Sequence, residues 1–302
     1  MPSKIRKLIA WVKALRIRTL PLSISSILAG NAFVINEFNW TIFSLSFLTT
    51  ILLQVLANFA NDYGDSLKGI DNQQRLGPQR TVQSGEIDAS EMRKAIFLTS
   101  FFSLISGLVL IYISLKNQLE TFILFLVIGL LAIWAAIQYT VGKKPYGYNS
   151  LGDFFVWFFF GIVGVVGSHF LQTKYVTLEI FYIANAIGFW TVSVLNLNNI
   201  RDLENDKKCG KITLAVRLTF KNARIYQLFL TILSFTLTAS ICMQEIGFLK
   251  SSPILFLSVI PIVISYYSLW IKKTPQAYDV ALKFIALNTF FVSLFMFIIF
   301  RI

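Results

Sequence analysis

Apolar residues in this chain run in long blocks, not in the alternation of a half-buried strand or the single stripe of a surface helix. Nine blocks stand out, at 20–36, 41–60, 95–115, 121–140, 154–171, 178–198, 225–243, 253–271 and 280–300. Each approaches the roughly 20 residues that an α-helix needs to cross a bilayer. The expected fold class is all-α, a polytopic membrane bundle of about nine transmembrane helices in one integral-membrane domain over 1–302. Ahead of the first block, Ile5, Leu8, Ile9, Val12 and Leu15 are set against Lys4, Lys7 and Lys13. That pattern predicts an amphipathic helix over 1–18 lying on the membrane surface. The connections near 37–40, 116–120, 172–177 and 244–252 are short, whereas 61–94, 141–153, 199–224 and 272–279 hold most of the polar residues.

Composition agrees with this reading. The chain is 56% hydrophobic and only 14% charged, and a soluble domain needs about a quarter of its residues charged to cover its surface. The net charge of +12 does not point to nucleic acid, because the cations lie between apolar blocks, where they direct topology. With the N-terminus inside, the inner segments hold all Lys and Arg except Lys116, Lys174, Lys250 and Arg301. That bias predicts N-in and C-out in a cytoplasmic (inner) membrane, with the long polar loops facing the cytoplasm. Cys209 and Cys242 fall toward opposite ends of the bundle, so no disulfide is expected between them. The lone histidine, His169, sits near the outer end of its block and reads as a core residue.

Two acidic motifs follow the second and sixth blocks and so emerge on the same side. The first is Asn61-Asp62-Tyr63-Gly64-Asp65, with Lys68 and Asp71 beyond it. Asp62 and Asp65 share a helical face, and Gln54 and Asn58 extend that face back into the membrane. The second is Asn198-Asn199-Ile200-Arg201-Asp202, with Asp206 four residues after Asp202 and Asn198 one turn before it. Carboxylates stacked in this way repel one another unless a cation sits among them. Mg²⁺ suits oxygen ligands and is usually held by one or two carboxylates together with substrate phosphates. The expected metal ligands are Asp62, Asp65, Asp202 and Asp206. Intramembrane acids also serve transporters, but there they lie near the midplane and not at the edge. A structural subunit of a respiratory complex would leave both motifs without a role.

Cations accompany the acids. Arg75 and Arg80 lie in a turn-rich stretch bracketed by Gly77-Pro78 and Ser84-Gly85. Either presents a fork suited to a carboxylate or phosphate, although both also fit a purely topological role. Lys68, Lys143 and Lys211 are candidates for contacting a diphosphate. Asp153 either caps the next helix or meets a substrate. Phe154, Phe155, Trp157, Phe158, Phe159 and Phe160 form an aromatic run that reads first as packing and lipid contact, and second as the lining of a hydrophobic tunnel.

These residues resemble the UbiA-type superfamily of intramembrane prenyltransferases. The segment from Asn61 to Gly85 looks like the branch that prenylates 1,4-dihydroxy-2-naphthoate in menaquinone synthesis. So do Asn198-Asn199-x-Arg201-Asp202-x-x-x-Asp206 with Gly210-Lys211-x-Thr213-Leu214, and Lys144-Pro145-Tyr146-Gly147-Tyr148 with Leu151-Gly152-Asp153. Asp71 departs from the general pattern by following Asp65 at six residues instead of four. The resemblance implies a catalytic group of Asp62, Asp65, Lys68, Asp202 and Asp206. It implies substrate contacts from Asn58, Asn61, Asp71, Arg75, Arg80, Tyr139, Lys143, Asn198 and Lys211. A Mg²⁺-bound polyprenyl diphosphate would ionise, and the naphthoate would attack with loss of CO₂ to give demethylmenaquinone. Arg75 or Arg80 would take the naphthoate carboxylate. Related branches that prenylate 4-hydroxybenzoate or homogentisate, or make a haem or archaeal lipid intermediate, share the fold.

Overall fold

The computed structural model describes residues 3–35, 38–70, 72 and 76–301, and among these no β-strand forms. Asp71 and Arg75, both expected at the site, lie outside the described residues. In chain order the helices are α1 (Ser3–Leu15), α2 (Leu20–Ala32), α3 (Trp40–Leu67), α4 (Ala89–Leu115) and α5 (Leu119–Gln138). There follow α6 (Gly152–Thr173), α7 (Leu178–Arg201), a short α8 (Leu203–Lys208), α9 (Leu214–Lys272) and α10 (Pro275–Ile299). Local chemistry explains several starts. The Asn39 side chain accepts from the backbone N–H groups of Thr41 and Ile42, and the Thr213 and Thr274 hydroxyls cap α9 and α10 in the same way. Pro275 follows at the first turn of α10, where its missing N–H costs nothing.

Seven helices are long and apolar enough to cross a membrane: α3, α4, α5, α6, α7, α9 and α10. Two features separate this number from the nine apolar blocks. The first block yields only the 13 residues of α2, a rise of roughly 20 Å against a hydrocarbon core of roughly 30 Å. The seventh and eighth blocks lie in one element, α9, which breaks at Gly247. The backbone there takes φ 72 and ψ 170, a conformation that only glycine adopts cheaply and that turns the chain between two helical arms.

The bundle is organised around α7. Of its most apolar stretch 61% is buried, against 6% for α5, so α7 forms the centre and α5 an outer, lipid-facing wall. Ile183, Ile187 and Trp190 of α7 are fully buried in a core with Ala29, Val165, Ile254, Val292 and Met296. The middle of α6, Trp157–Gly167, winds as a wider π-helix. It crosses α7 closely: a side chain at Gly161 would come within 2.5 Å of the Ala184 carbonyl oxygen. At the N-terminus, α1 docks by ion pairs from Lys7 to Glu91 and from Lys13 to Glu86, and by an edge contact of Trp11 with Phe59. Its Ile5, Leu8, Ile9 and Val12 remain exposed, while Ala10 and Ala14 are buried.

Candidate active site

Both acidic motifs fall at helix ends, the first at the C-terminal end of α3 and the second across the join of α7 and α8. Backbone and side-chain bonds draw them together. The Asn205 amide donates to the Ile70 carbonyl at 3.0 Å, which ties the second motif to the turn that ends the first. The ammonium of buried Lys211 lies 3.5 Å from Asp65 Oδ2. Tyr148 adjoins both: its hydroxyl donates to Asp65 Oδ1 at 2.6 Å. The Lys68 and Lys211 ammonium groups sit over its ring at 4.6 and 5.2 Å, so one aromatic ring holds two cations beside one carboxylate. The loop that carries Tyr148 is pinned in turn. The Ile212 N–H donates to the Tyr148 carbonyl at 3.2 Å and the Ser150 hydroxyl to the Ile212 carbonyl at 2.8 Å.

The four expected metal ligands are all buried, at 1–4% exposure, but they do different things. Asp62 accepts three bonds from the 76–88 loop: from the Thr81 N–H at 3.1 Å, the Thr81 hydroxyl at 2.6 Å and the Val82 N–H at 3.2 Å. It therefore anchors that loop, and half-buried Arg80 is held one residue away. Asp202 takes the Arg201 guanidinium in a two-point grip, Nε to Oδ1 at 3.1 Å and Nη2 to Oδ2 at 2.7 Å. The same Nη2 donates to Asn198 Oδ1 at 2.8 Å, and Nη1 to Asp279 Oδ1 of α10 at 2.7 Å. Among the described residues no three acidic, His or Cys side chains are gathered tightly enough to form a finished metal cluster. The donor set still fits a hard divalent ion. Every candidate is a buried carboxylate, the kind of oxygen donor that such an ion takes. The Lys211 ammonium beside Asp65 and the Arg201 guanidinium on Asp202 supply positive charge there, as a metal would.

The other predicted residues divide. Asn61 and Tyr139 line a cavity of about 330 Å³, as does Gln54. The Asn61 side-chain Oδ1 is buried there and has no hydrogen-bond partner among the described residues. Tyr139 follows α5, and its phenol is pushed above its usual pKa, first by burial and then by the carboxylates of Asp153, Asp65 and Asp206. Asn58 faces elsewhere: its amide donates to the Leu15 carbonyl at 2.9 Å and to the Thr19 hydroxyl at 3.1 Å, fastening the α1–α2 link to α3. Lys143 is exposed. Lys68 has its pKa lowered from 10.5, because burial outweighs the favourable charge of Asp65. His169 is a core residue whose Nδ1 meets the Gly30 carbonyl at 3.1 Å, and both cysteines are free thiols. Of the aromatic run, Phe155, Phe159 and Phe160 line the cavity, whereas Phe154 is exposed.

Sequence reasoning missed Thr81, Tyr148, Arg201 and Asp279 as working parts of this region. Tyr148 and Arg201 stood inside motifs already singled out. Thr81 too lay inside the stretch around Arg80, but its partner Asp62 is 19 residues away, and Asp279 carries no local signal.

One glycine makes the assembly fit. A side chain at Gly64 would lie 2.6 Å from the Thr140 hydroxyl oxygen and 2.8 Å from the Thr140 carbonyl carbon. The missing Cβ lets α3 press against residues 139–140, and the Thr140 hydroxyl donates to the Ala60 carbonyl at 2.8 Å across this contact.

The cavity runs from this polar end, among Ser23, Gln54, Asn61 and Tyr139, into an apolar lining that includes Leu53, Phe125 and Val163. Buried acids and cations next to an apolar cavity inside a membrane bundle define an enzyme for a lipid with an anionic head. The chain belongs to the UbiA prenyltransferase family, whose model matches residues 23–295. It is 44% identical over 259 residues to the 1,4-dihydroxy-2-naphthoate octaprenyltransferase of Haemophilus influenzae, covering 82% of this chain and 84% of that one. It is 43% identical over 219 residues to the protein of the same name from Escherichia coli, covering 72% and 71%. In fold it is similar to a UbiA homolog from Archaeoglobus fulgidus bound to GPP and Mg²⁺, with a TM-score of 0.67 at 16% identity over 94% of this chain and 99% of that one. A UbiA homolog from Aeropyrum pernix K1 superposes with the same TM-score, 0.67, at 16% identity, covering 90% and 96%.

Proposed function

We propose that this chain transfers a polyprenyl group from polyprenyl diphosphate to 1,4-dihydroxy-2-naphthoate, releasing CO₂ and diphosphate. The observation that carries the reading is the joining of the two acidic motifs, by the bond from Asn205 to the Ile70 carbonyl and the pairing of Lys211 with Asp65, beside the apolar cavity, in a chain 44% identical to a naphthoate prenyltransferase. Mg²⁺ held by Asp62, Asp65, Asp202 and Asp206 would neutralise the charge that gathers on the departing diphosphate. Lys68 and Lys211, seated on the Tyr148 ring, keep positive charge where that diphosphate lies. The Tyr148 hydroxyl fixes the direction of Asp65. The tail occupies the cavity, where Phe155, Phe159 and Phe160 exclude water from the allylic carbon. The prenyl C1–O bond breaks with its electron pair going to diphosphate, and the ring carbon bearing the carboxylate bonds to C1. The C–CO₂ bond then breaks and restores the aromatic ring. The product is demethylmenaquinone in its hydroquinone form, since no oxidant takes part. Arg80, in the loop anchored by Asp62, or Arg75 would take the naphthoate carboxylate.

In the same reading the chain is one integral-membrane domain with its N-terminus and both acidic motifs on the cytoplasmic side of the inner membrane. The short α2 and the two arms of α9 complete nine passages.

The test is an assay of purified protein in detergent with 1,4-dihydroxy-2-naphthoate and labelled polyprenyl diphosphate, with Mg²⁺, with EDTA, and as Asp65→Asn. Mg²⁺-dependent product that disappears in the variant is expected. Activity with 4-hydroxybenzoate or homogentisate alone would overturn the acceptor, and activity unchanged in EDTA would overturn the metal.

A further inference from the structure

Arg201 has a side chain with no solvent exposure, yet it serves two acids on different helices. Its grip on Asp202 uses Nε and Nη2, and its remaining nitrogen, Nη1, reaches Asp279 of α10 at 2.7 Å. Asp279 is 20% exposed at its side chain and also draws Lys283 at 2.6 Å and Arg18 at 3.6 Å. It lies outside both acidic motifs and 77 residues beyond Asp202. A buried guanidinium needs compensating negative charge close by. While Asp202 supplies it, Asp202 is neutralised and binds a divalent ion poorly. When an ion reaches Asp202, the ion repels the guanidinium, and the cost of that encounter depends on what else holds Arg201.

We propose that Asp279 is a positioning residue for the divalent-cation site: by sharing the Arg201 guanidinium it weakens Arg201's hold on Asp202 and leaves that carboxylate available to the metal. The inference rests on Asp202 being a metal ligand. Lys283 works against it by competing for the same carboxylate. Neither Asp279 nor Lys283 touches substrate in this scheme, and Asp279 acts only through Arg201.

The probe is Mn²⁺ alone, titrated into the purified full-length chain in detergent and followed by electron paramagnetic resonance, with thermal melting in parallel. Asp279→Asn should weaken Mn²⁺ binding about fivefold to tenfold, the size of coupling usual between groups in one polar network. Asp279→Glu should restore most of it, and Lys283→Gln should tighten it about twofold. In an Arg201→Lys background, where the fork is gone, Asp279→Asn should change affinity less than about twofold. Wild-type affinity in Asp279→Asn, with only the melting temperature lowered, would reduce the contact to a structural ion pair and overturn the proposal. An equal loss in both backgrounds would overturn it too, because Asp279 would then act by charge alone. Should Asp279→Asn not fold, Lys283→Gln decides, and affinity at or below wild type refutes the idea. If Asp202→Asn binds Mn²⁺ as tightly as wild type, the assignment of Asp202 as a ligand itself fails.

Discussion

Gly64→Ala is the smallest change that tests whether the two halves of the site depend on one close helix contact. The added methyl would lie 2.6 Å from the Thr140 hydroxyl oxygen and 2.8 Å from both its Cβ and its carbonyl carbon, where 3.4 Å is an ordinary contact. The Thr140 hydroxyl can rotate away, but the backbone carbon cannot, so α3 and residues 139–140 must separate by several tenths of an ångström. Overpacking of this kind costs about 1–3 kcal/mol. The strain falls between Asp62 and Asp65 on one side and Tyr139 on the other, which the contact holds in register. A displacement of about 1 Å in a positioned site costs on the order of a hundredfold in rate; a shift somewhat smaller than that predicts a loss in kcat of about tenfold or more. Thr140→Gly should rescue only part of it, because the backbone carbon at 2.8 Å remains. Steady-state prenyl transfer and thermal melting, both in detergent, measure the two effects. A Gly64→Ala protein with wild-type melting and turnover would refute the argument, as would full rescue by Thr140→Gly.

Three other outcomes follow from single contacts. Tyr148→Phe removes a hydrogen bond to a charged, buried Asp65, and should lower diphosphate affinity or kcat by an amount equivalent to about 1.5–3 kcal/mol, read from steady-state kinetics. Thr81→Val removes the hydroxyl that donates to Asp62 at 2.6 Å. It should cost about 1–3 kcal/mol of stability and increase proteolysis of the 76–88 loop. Lys68 gives a pH signature. Its lowered pKa means that its charge opposes folding below pH 10.5, a cost relieved as pH rises, while a bound diphosphate favours the charged form. Diphosphate affinity should therefore be fullest below the lowered pKa and decline as pH rises through it. Lys68→Arg should remove the decline, as an inhibition series with inorganic diphosphate across alkaline pH would show.

Much of the fold and part of the site were legible from local pattern. Block length and apolarity predicted a helical membrane bundle because a bilayer demands about 20 apolar residues per passage, whatever they pack against. The spacing of Asp62 and Asp65, and of Asp202 and Asp206, put each pair on one helical face for the same local reason. Local pattern did not show which apolar runs form a separate helix long enough to cross on its own. The first block makes a helix of only 13 residues, ten of them buried, and two blocks share one element bent at Gly247. Residue type did not reveal which polar groups face the cavity. Asn58 and Asn61 are one turn apart, yet Asn58 is spent on the Leu15 carbonyl and Asn61 lines the cavity.

The sequence alone determined the environment, the secondary structure and the two carboxylate pairs, since each depends on residues within one or two turns of one another. Only the tertiary structure decided the partners. Thr81 on Asp62, Tyr148 on Asp65, and Arg201 shared between Asp202 and Asp279 join segments 19, 83 and 78 residues apart. Such pairings are set by which helices pack together, and that choice is made by the shapes of whole buried faces, Gly64 and Gly161 among them, not by any local spacing.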